Sequence, residues 1–264
     1  KFDLDGFDDS EGDVPQTCHV IEDEEDRQSE TATSELLRMH HRYGHISFTK
    51  LQLMAKEGRL PKRLAKCPIP VCSACMYAKA TKKKKRDKSP KNREATHAPT
   101  KPGALVSVDQ LVSPTPGLLA QLTGRLTTKR YRYATVFVDH ASRLSYVFLQ
   151  KTASAEETIE AKVAFENYCK DRGVTVYAYH ADNGVFRANK WVYECARHNQ
   201  RLTFAGVNAH HQNGIAERRI RELQDLTRTA LIHANKRWKT SITANLWPYA
   251  LRLANDAINN TPSM

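Results

Sequence analysis

Two groups of residues in this chain have the types and spacing to hold metal ions. The first is a set of acids. Asp109 lies in the strand-like run that begins Ala104-Leu105-Val106-Ser107-Val108, and Asp182 follows an apolar run in His180-Ala181-Asp182-Asn183-Gly184. Glu217 sits in the first turn of a basic helical segment, after the polar stretch Asn208-Ala209-His210-His211-Gln212-Asn213-Gly214. Carboxylate oxygens suit hard cations such as Mg2+, which complete their shell with water and substrate phosphate. Two such ions about 3.5–4 Å apart can serve an in-line displacement at phosphorus. Taken alone, Glu217 reads better as a helix-start acid favoured by the helix dipole; the two distant aspartates give it a partner set and shift the reading. The second group is His40-x4-His45 and Cys72-x2-Cys75, with 26 residues between the pairs. Two imidazoles and two thiolates close a tetrahedral Zn2+ shell with no position left for water, which makes such an ion structural. His41 and Cys67 are the alternative donors.

The order of His-Ala-Asp-Asn-Gly at 180–184 and Gln-Asn-Gly-Ile-Ala-Glu-Arg at 212–218, with Asp139-His140-Ala141-Ser142-Arg143 after a strand, resembles the copia-type retrotransposon integrases of the retroviral-integrase and DDE-transposase superfamily. The resemblance covers about residues 36–262. It implies an α/β, RNase H-like catalytic core, a mixed five-stranded sheet flanked by helices, preceded by a small helical HHCC zinc-binding domain. It implies one structural Zn2+ and two Mg2+ or Mn2+ ions per active site, with Asp109 bridging both and Asp182 and Glu217 each holding one. The implied chemistry is 3′-end processing by water, then attack of the freed 3′ hydroxyl on a target phosphodiester. The implied partners are element (LTR) DNA ends, target DNA and further copies of the chain in a homo-multimer, with chromatin or host factors as further candidates. The implied location is a virus-like particle in the cytoplasm, then the nucleus. The same resemblance selects His40 over His41, because Gly44-His45 fixes the register.

The chain also departs from the family pattern. Met39 replaces a usual Trp, Val185 a second Gly, His210-His211 a Pro-Gln-type pair, and Val112-Ser113-Pro114 a Gly-Pro. These bear on local packing, loop shape and rate more than on the class of reaction. Two readings compete with an integrase: a catalytically inactive zinc-containing DNA-binding or scaffold protein, and a nuclease of the same fold that only hydrolyses DNA.

Charge points the same way. The formal charge of +12 over 264 residues conceals a division. Residues 1–35 carry 13 acids against Lys1 and Arg27, a net of −11, and the remainder carries 39 bases against 16 acids, a net of +23. A portion that basic has a polyanion as its expected partner, nucleic acid by default. No apolar run is long enough for a membrane span and no secretory pattern is present, so no membrane partner is expected. Three of the six cysteines fall within Cys67–Cys75, which favours metal over disulfides. A first residue of Lys suggests a piece of a longer product.

Four segments follow: 1–34 as an acidic disordered tail, 35–80 as the zinc-binding domain, 81–102 as a basic linker, and 103–264 as the core. The linker carries Lys82, Lys83, Lys84, Lys85 and Arg86, read as phosphate contacts, a nuclear import signal or a solvated spacer. In the core, strands are expected at 104–112, 131–139 and 143–150, with a surface loop between the first two. A helix at 154–171 should turn Ile159, Val163 and Phe165 inward, with Ser154 and Glu157 as a capping box. A strand at 174–179, a helix near 190–198 and a strand at 202–206 come next. The helix bearing Glu217 and a final helix with Trp247, Leu251, Ala254 and Ile258 in register complete the core. On the Glu217 helix, Arg221, Gln224 and Arg228 lie 4, 7 and 11 residues on and share its face. Together with Asn213 and Arg218 they are the expected DNA contacts; the alternative is an ordinary solvated basic face.

Overall fold

A computed structural model describes residues 31–80, 99–119, 127–205 and 213–262. The acidic stretch up to residue 30, Lys82 to Arg86, and His210 and His211 lie outside the described residues. The described chain forms two compact units, one from 80–224 and one from 31–79 with 225–262. The long helix that carries Glu217 contributes to both.

The first unit is built on a five-stranded sheet. Its strands are β1 (Val106–Gly117), β2 (Tyr131–Asp139), β3 (Ser145–Gln150), β4 (Ala178–Ala181) and β5 (Arg201–Phe204), in spatial order β3-β2-β1-β4-β5. The β1–β2 and β2–β3 pairs are antiparallel, whereas β4 runs parallel to β1 and β5 parallel to β4. This is the mixed sheet of an RNase H-like core. Successive side chains alternate between faces, so Val106 and Val108 go one way and Ser107 and Asp109 the other. On the apolar face, Val106, Val108, Phe137, Tyr179 and Ala181 pack with α4 (Ala155–Lys170) and α5 (Asn189–Arg197) through Ala161, Phe165, Cys169, Trp191 and Cys195. Phe137 stacks on Phe165 at 4.6 Å.

Local details correct several expectations. Strand β1 runs on to Gly117, and a register break between Val112 and Gly117 accommodates Pro114 and Pro116. Proline cannot donate to a ladder, so pairing lapses there. The inward stripe of α4 is Thr158, Ala161, Lys162, Phe165 and Cys169, and Val163 is exposed. Lys162 is fully buried, ion-paired with Glu166 at 2.9 Å and set over the Tyr179 ring. A charge is tolerated there because carboxylate and ring replace water. Ser154 caps α4 through the Glu157 amide, but the Glu157 carboxylate turns back to the Lys151 and Thr152 amides. The expected strand at 174–179 is regular only from Ala178, three residues after Thr175, whose carbonyl lies close behind Gly103.

In the second unit, α1 (Ala32–Arg42) is capped by Thr31, so it starts inside the stretch read as tail. Helix α2 (Phe48–Lys56) is capped by Ser47, and a short α3 (Ser73–Ala78) follows Cys72. Leu36, Ile46, Leu51, Met54, Ala55, Leu60 and Leu64 form its core, with Ala257 packed against it. Ala257 belongs to α7 (Trp247–Asn259), which buries Trp247, Leu251, Ala254 and Ile258 as their spacing requires. Helix α6 (Gly214–Arg237) supplies Ile232 to a second small cluster with Leu37, Cys72 and Ala74. The small helical module thus gains apolar area from α6 and α7. Among the described residues, no helix is long and apolar enough to cross a membrane.

Candidate metal centres

Four of the donors named from spacing meet in the second unit. His40 ends α1, His45 follows a turn, Cys72 precedes α3 and Cys75 lies in its first turn. The turn requires left-handed backbone at two successive residues, Gly44 (φ 65°) and His45 (φ 62°). Glycine adopts this freely, while a histidine is held there at about 1–3 kcal/mol. The His45 amide donates to the His40 carbonyl at 2.8 Å and closes the turn. His40 Nε2 then lies 3.2 Å from His45 Nδ1 and 3.2 Å from Cys75 Sγ. His45 Nδ1 lies 3.6 Å from Cys72 Sγ and 3.7 Å from Cys75 Sγ. A tetrahedron with Zn–N near 2.05 Å and Zn–S near 2.3 Å has edges of about 3.4 Å (N–N) and about 3.6 Å (N–S). The four donor atoms therefore already outline a zinc shell, and the residues fit the ion.

The protonation pattern agrees. His40 Nδ1 is 2.7 Å from the Ile46 carbonyl, which can only accept. That nitrogen therefore carries the proton, and Nε2 turns its lone pair to the cluster. Burial lowers the pKa of His45, against a hydrogen bond with Cys72, and keeps it neutral as a ligand must be. The Cys72 thiol is drawn down by its hydrogen bond from Cys75 and by the imidazoles of His40, His41 and His45. Cys75 is pushed up by Cys72 and by burial. The pair thus favours ionisation at Cys72 first, and a metal would displace the proton of Cys75.

Of the alternative donors, Cys67 turns away to the Leu64 carbonyl, while His41 reaches to 3.7 Å from Cys72 Sγ. Sequence reasoning missed His233, near the C-terminal end of α6, whose Nδ1 is 2.8 Å from His45 Nε2. Nothing local marks it, because 188 residues separate the pair.

The acids occupy the first unit. Strand β1 pairs in parallel with β4 through Val108↔Ala181, and Asp109 and Asp182 are the residues that follow this last paired step. Each folds one carboxylate oxygen onto the following amide, Gln110 and Asn183, both at 2.7 Å. Glu217 lies in the first turn of α6, fixed near β1 by Asn213, whose amide donates to the Val108 carbonyl at 3.1 Å. Burial pushes the Asp109 carboxyl up to about 6, and the charges of Asp182 and Glu217 push the same way against the Gln110 amide.

The charges of Asp182 and Glu217 thus reach Asp109. Among the described residues, the donor groups lying within 4.8 Å of one another are His40–His45–Cys72–Cys75 and His41–His45–His233. The three acids do not form such a group. On the Asp109 face of the sheet, one step back along the strands, Ser107 Oγ meets His140 Nε2 at 2.8 Å and His180 Nδ1 meets Thr203 Oγ1 at 2.9 Å. His180 is thus tied to its own sheet neighbour. Asp139 holds its turn by accepting from the Gly103 and Ser142 amides.

The expected DNA contacts divide. Arg218 and Arg221 are exposed, and Gln224 is half-buried. Asn213 is 1% exposed, so its amide fastens the helix start where a DNA contact was expected. Arg228 donates to the Ala78 carbonyl at 3.2 Å. That carbonyl is at the C-terminus of α3, where backbone oxygens lack helical partners and a cation is favoured.

Residues 12–80 match the GAG-pre-integrase domain family. The chain is 31% identical over 140 residues to the retrovirus-related Pol polyprotein from transposon RE1 of Arabidopsis thaliana, across 52% of this chain and 9% of that protein. It is 27% identical over 226 residues to the corresponding polyprotein from transposon RE2 of the same plant, across 85% of this chain and 14% of that protein. The chain is thus similar to part of the Pol polyproteins of these plant retrotransposons. It spans only about a tenth of the length of the polyproteins it matches. Among solved structures, the HTLV-2 integrase catalytic core domain in complex with magnesium (trimeric form) superposes with a TM-score of 0.44 at 16% identity, over 62% of this chain and 90% of that one. The simian T-cell lymphotropic virus intasome in complex with PP2A regulatory subunit B56 gamma gives 0.49 at 16% identity, over 86% of this chain and 69% of that one.

Proposed function

We propose that this chain is the zinc-module and catalytic-core part of a retrotransposon integrase, joining element DNA ends to target DNA. The observation that supports the reading is that Asp182 and Glu217, from a neighbouring strand and a helix far along the chain, lie near enough for their charges to act on the buried Asp109. Bound there, a pair of Mg2+ or Mn2+ ions would supply activation of the attacking hydroxyl and charge neutralisation at the leaving oxygen. The chain's own groups do the positioning. The parallel register brings the two aspartates onto neighbouring chain segments, and Asn213 ties the start of α6, which carries Glu217, to the Val108 carbonyl of β1. Arg218 and Arg221, exposed beside Glu217, present cations to DNA phosphates. His40, His45, Cys72 and Cys75 would hold a structural Zn2+ that fixes the helical module. Element and target DNA as substrates, assembly into a multimer, and passage from a cytoplasmic particle to the nucleus belong to the same proposal.

The test is a strand-transfer assay with short duplex ends and Mg2+ or Mn2+. Joined products that disappear in Asp182→Asn support the integrase. Cutting without joining supports a nuclease, and tight binding without reaction supports a scaffold.

A further inference from the structure

His45 presents both ring nitrogens to partners. Nδ1 faces the zinc-type cluster, and Nε2 faces His233 Nδ1 at 2.8 Å. His233 also stands against His41, with ring centroids 4.3 Å apart, and meets the His45 ring edge-on. Two readings fit a histidine in that place: a ligand of a second ion shared by His41, His45 and His233, or a hydrogen-bond partner behind a zinc ligand. The distance separates them. Imidazole nitrogens on one tetrahedral ion sit about 3.4 Å apart, whereas a shared proton brings nitrogen atoms to roughly 2.9 Å. A His45 that gives its Nδ1 lone pair to a metal must carry its proton on Nε2, and that proton points at His233 Nδ1.

We infer that His233 is a positioning residue for the zinc centre, accepting the Nε2 proton of His45 and so fixing the ring and tautomer with which His45 binds metal. The inference rests on the zinc reading above. His40 obtains the same service locally, from the Ile46 carbonyl six residues away. His45 sits on a left-handed turn residue and obtains it only from α6. Zinc loading and the seating of the 225–237 part of α6 on the helical module therefore favour each other, since each stabilises the state the other needs.

The experiment measures zinc affinity of the whole 264-residue chain by competition with a chromophoric chelator, for the wild type, His233→Ala and His233→Gln. Losing the group behind a ligand typically weakens metal binding about 10–100-fold. That loss is expected in His233→Ala, with most of it regained in His233→Gln, whose side-chain oxygen can accept the same proton. Cobalt substitution should give one tetrahedral spectrum in all three. Equal affinity in wild type and His233→Ala overturns the inference, and so does a cobalt spectrum that changes coordination when His233 is removed. A wild type that binds no zinc overturns the zinc reading instead. If His233→Ala does not fold, 15N-edited histidine spectra of the zinc-loaded wild type decide: metal on His45 Nδ1 with a protonated Nε2 supports the inference, and metal on Nε2 overturns it.

Discussion

The four-donor cluster around His45 and the three acids around Asp109 solve opposite problems. The His/Cys donors span 35 residues, lie at the edge lengths of a zinc shell, and draw down the Cys72 thiol. The acids span 108 residues from Asp109 to Glu217 and do not gather within 4.8 Å, and burial, with the charges of Asp182 and Glu217, raises the proton affinity of Asp109. A closed shell of soft donors gives an ion that stays and braces the fold. A wider cage of like charges is strained until cations enter, and it leaves coordination positions for a substrate. The two centres therefore differ in donor type and in spacing, and under the proposed function one would brace the fold while the other served chemistry.

The strongest way to break the contrast is to open the closed shell. Structural zinc in small finger peptides binds with about 10–16 kcal/mol, so Cys75→Ser or a strong chelator should lower the unfolding temperature of the second unit by roughly 10 °C or more. Because Ala257 and Ile232 pack with the module, limited proteolysis should then open residues 225–262 together with 31–79. A chelator-insensitive protein would place the His/Cys centre outside structural zinc chemistry.

Next is the open cage. Asp182→Asn should fold as the parent does and lose joining by at least about 10³-fold, some 4 kcal/mol of transition-state stabilisation. Quantified product from duplex ends decides it, and surviving activity would break the assignment.

A smaller effect carries the opposite sign. The Asp109 carboxyl moves from 3.8 when free to about 6 in the folded chain, so the folded state binds the extra proton. The associated stability is present below about pH 4 and is lost as pH rises through 6. Without divalent cations at neutral pH, Asp109→Asn should therefore stabilise the chain by roughly 1–3 kcal/mol, and the gain should vanish near pH 4. Urea titrations at the two pH values measure it, and a destabilised Asp109→Asn at pH 7 would show that the acids do not strain one another.

The smallest difference lies along α6. Arg221→Ala should reduce the log–log salt slope of DNA binding by about 0.9. Arg228→Ala should leave that slope unchanged and remove at most about 1 kcal/mol from the α3 terminus. Equal slopes for the two variants would return Arg228 to the DNA-facing group.

Much of this was legible without coordinates where physics is local. The spacing His-x4-His and Cys-x2-Cys encodes a shell because a turn and a helix start bring such neighbours together. The register of Trp247, Leu251, Ala254 and Ile258 encodes a buried helix face for the same reason. Alternation in β1 already commits Asp109 to the face opposite Val106 and Val108. The acids themselves were legible as types in an order, but their order says nothing of the distance between them.

What only the tertiary structure decided is which side chains meet across long stretches of chain. The parallel register of β1 and β4 brings Asp109 and Asp182 onto neighbouring chain segments, and Asn213 is spent on the Val108 carbonyl. The length of α6 carries Arg228 to the end of α3 and His233 to His45. Val163 lies outward while Lys162 is buried, because a carboxylate and a ring were waiting for it. Periodicity and composition are properties of neighbours along a chain, whereas hydrogen-bond partners and repelling charges are chosen by packing, and packing has no signature in spacing.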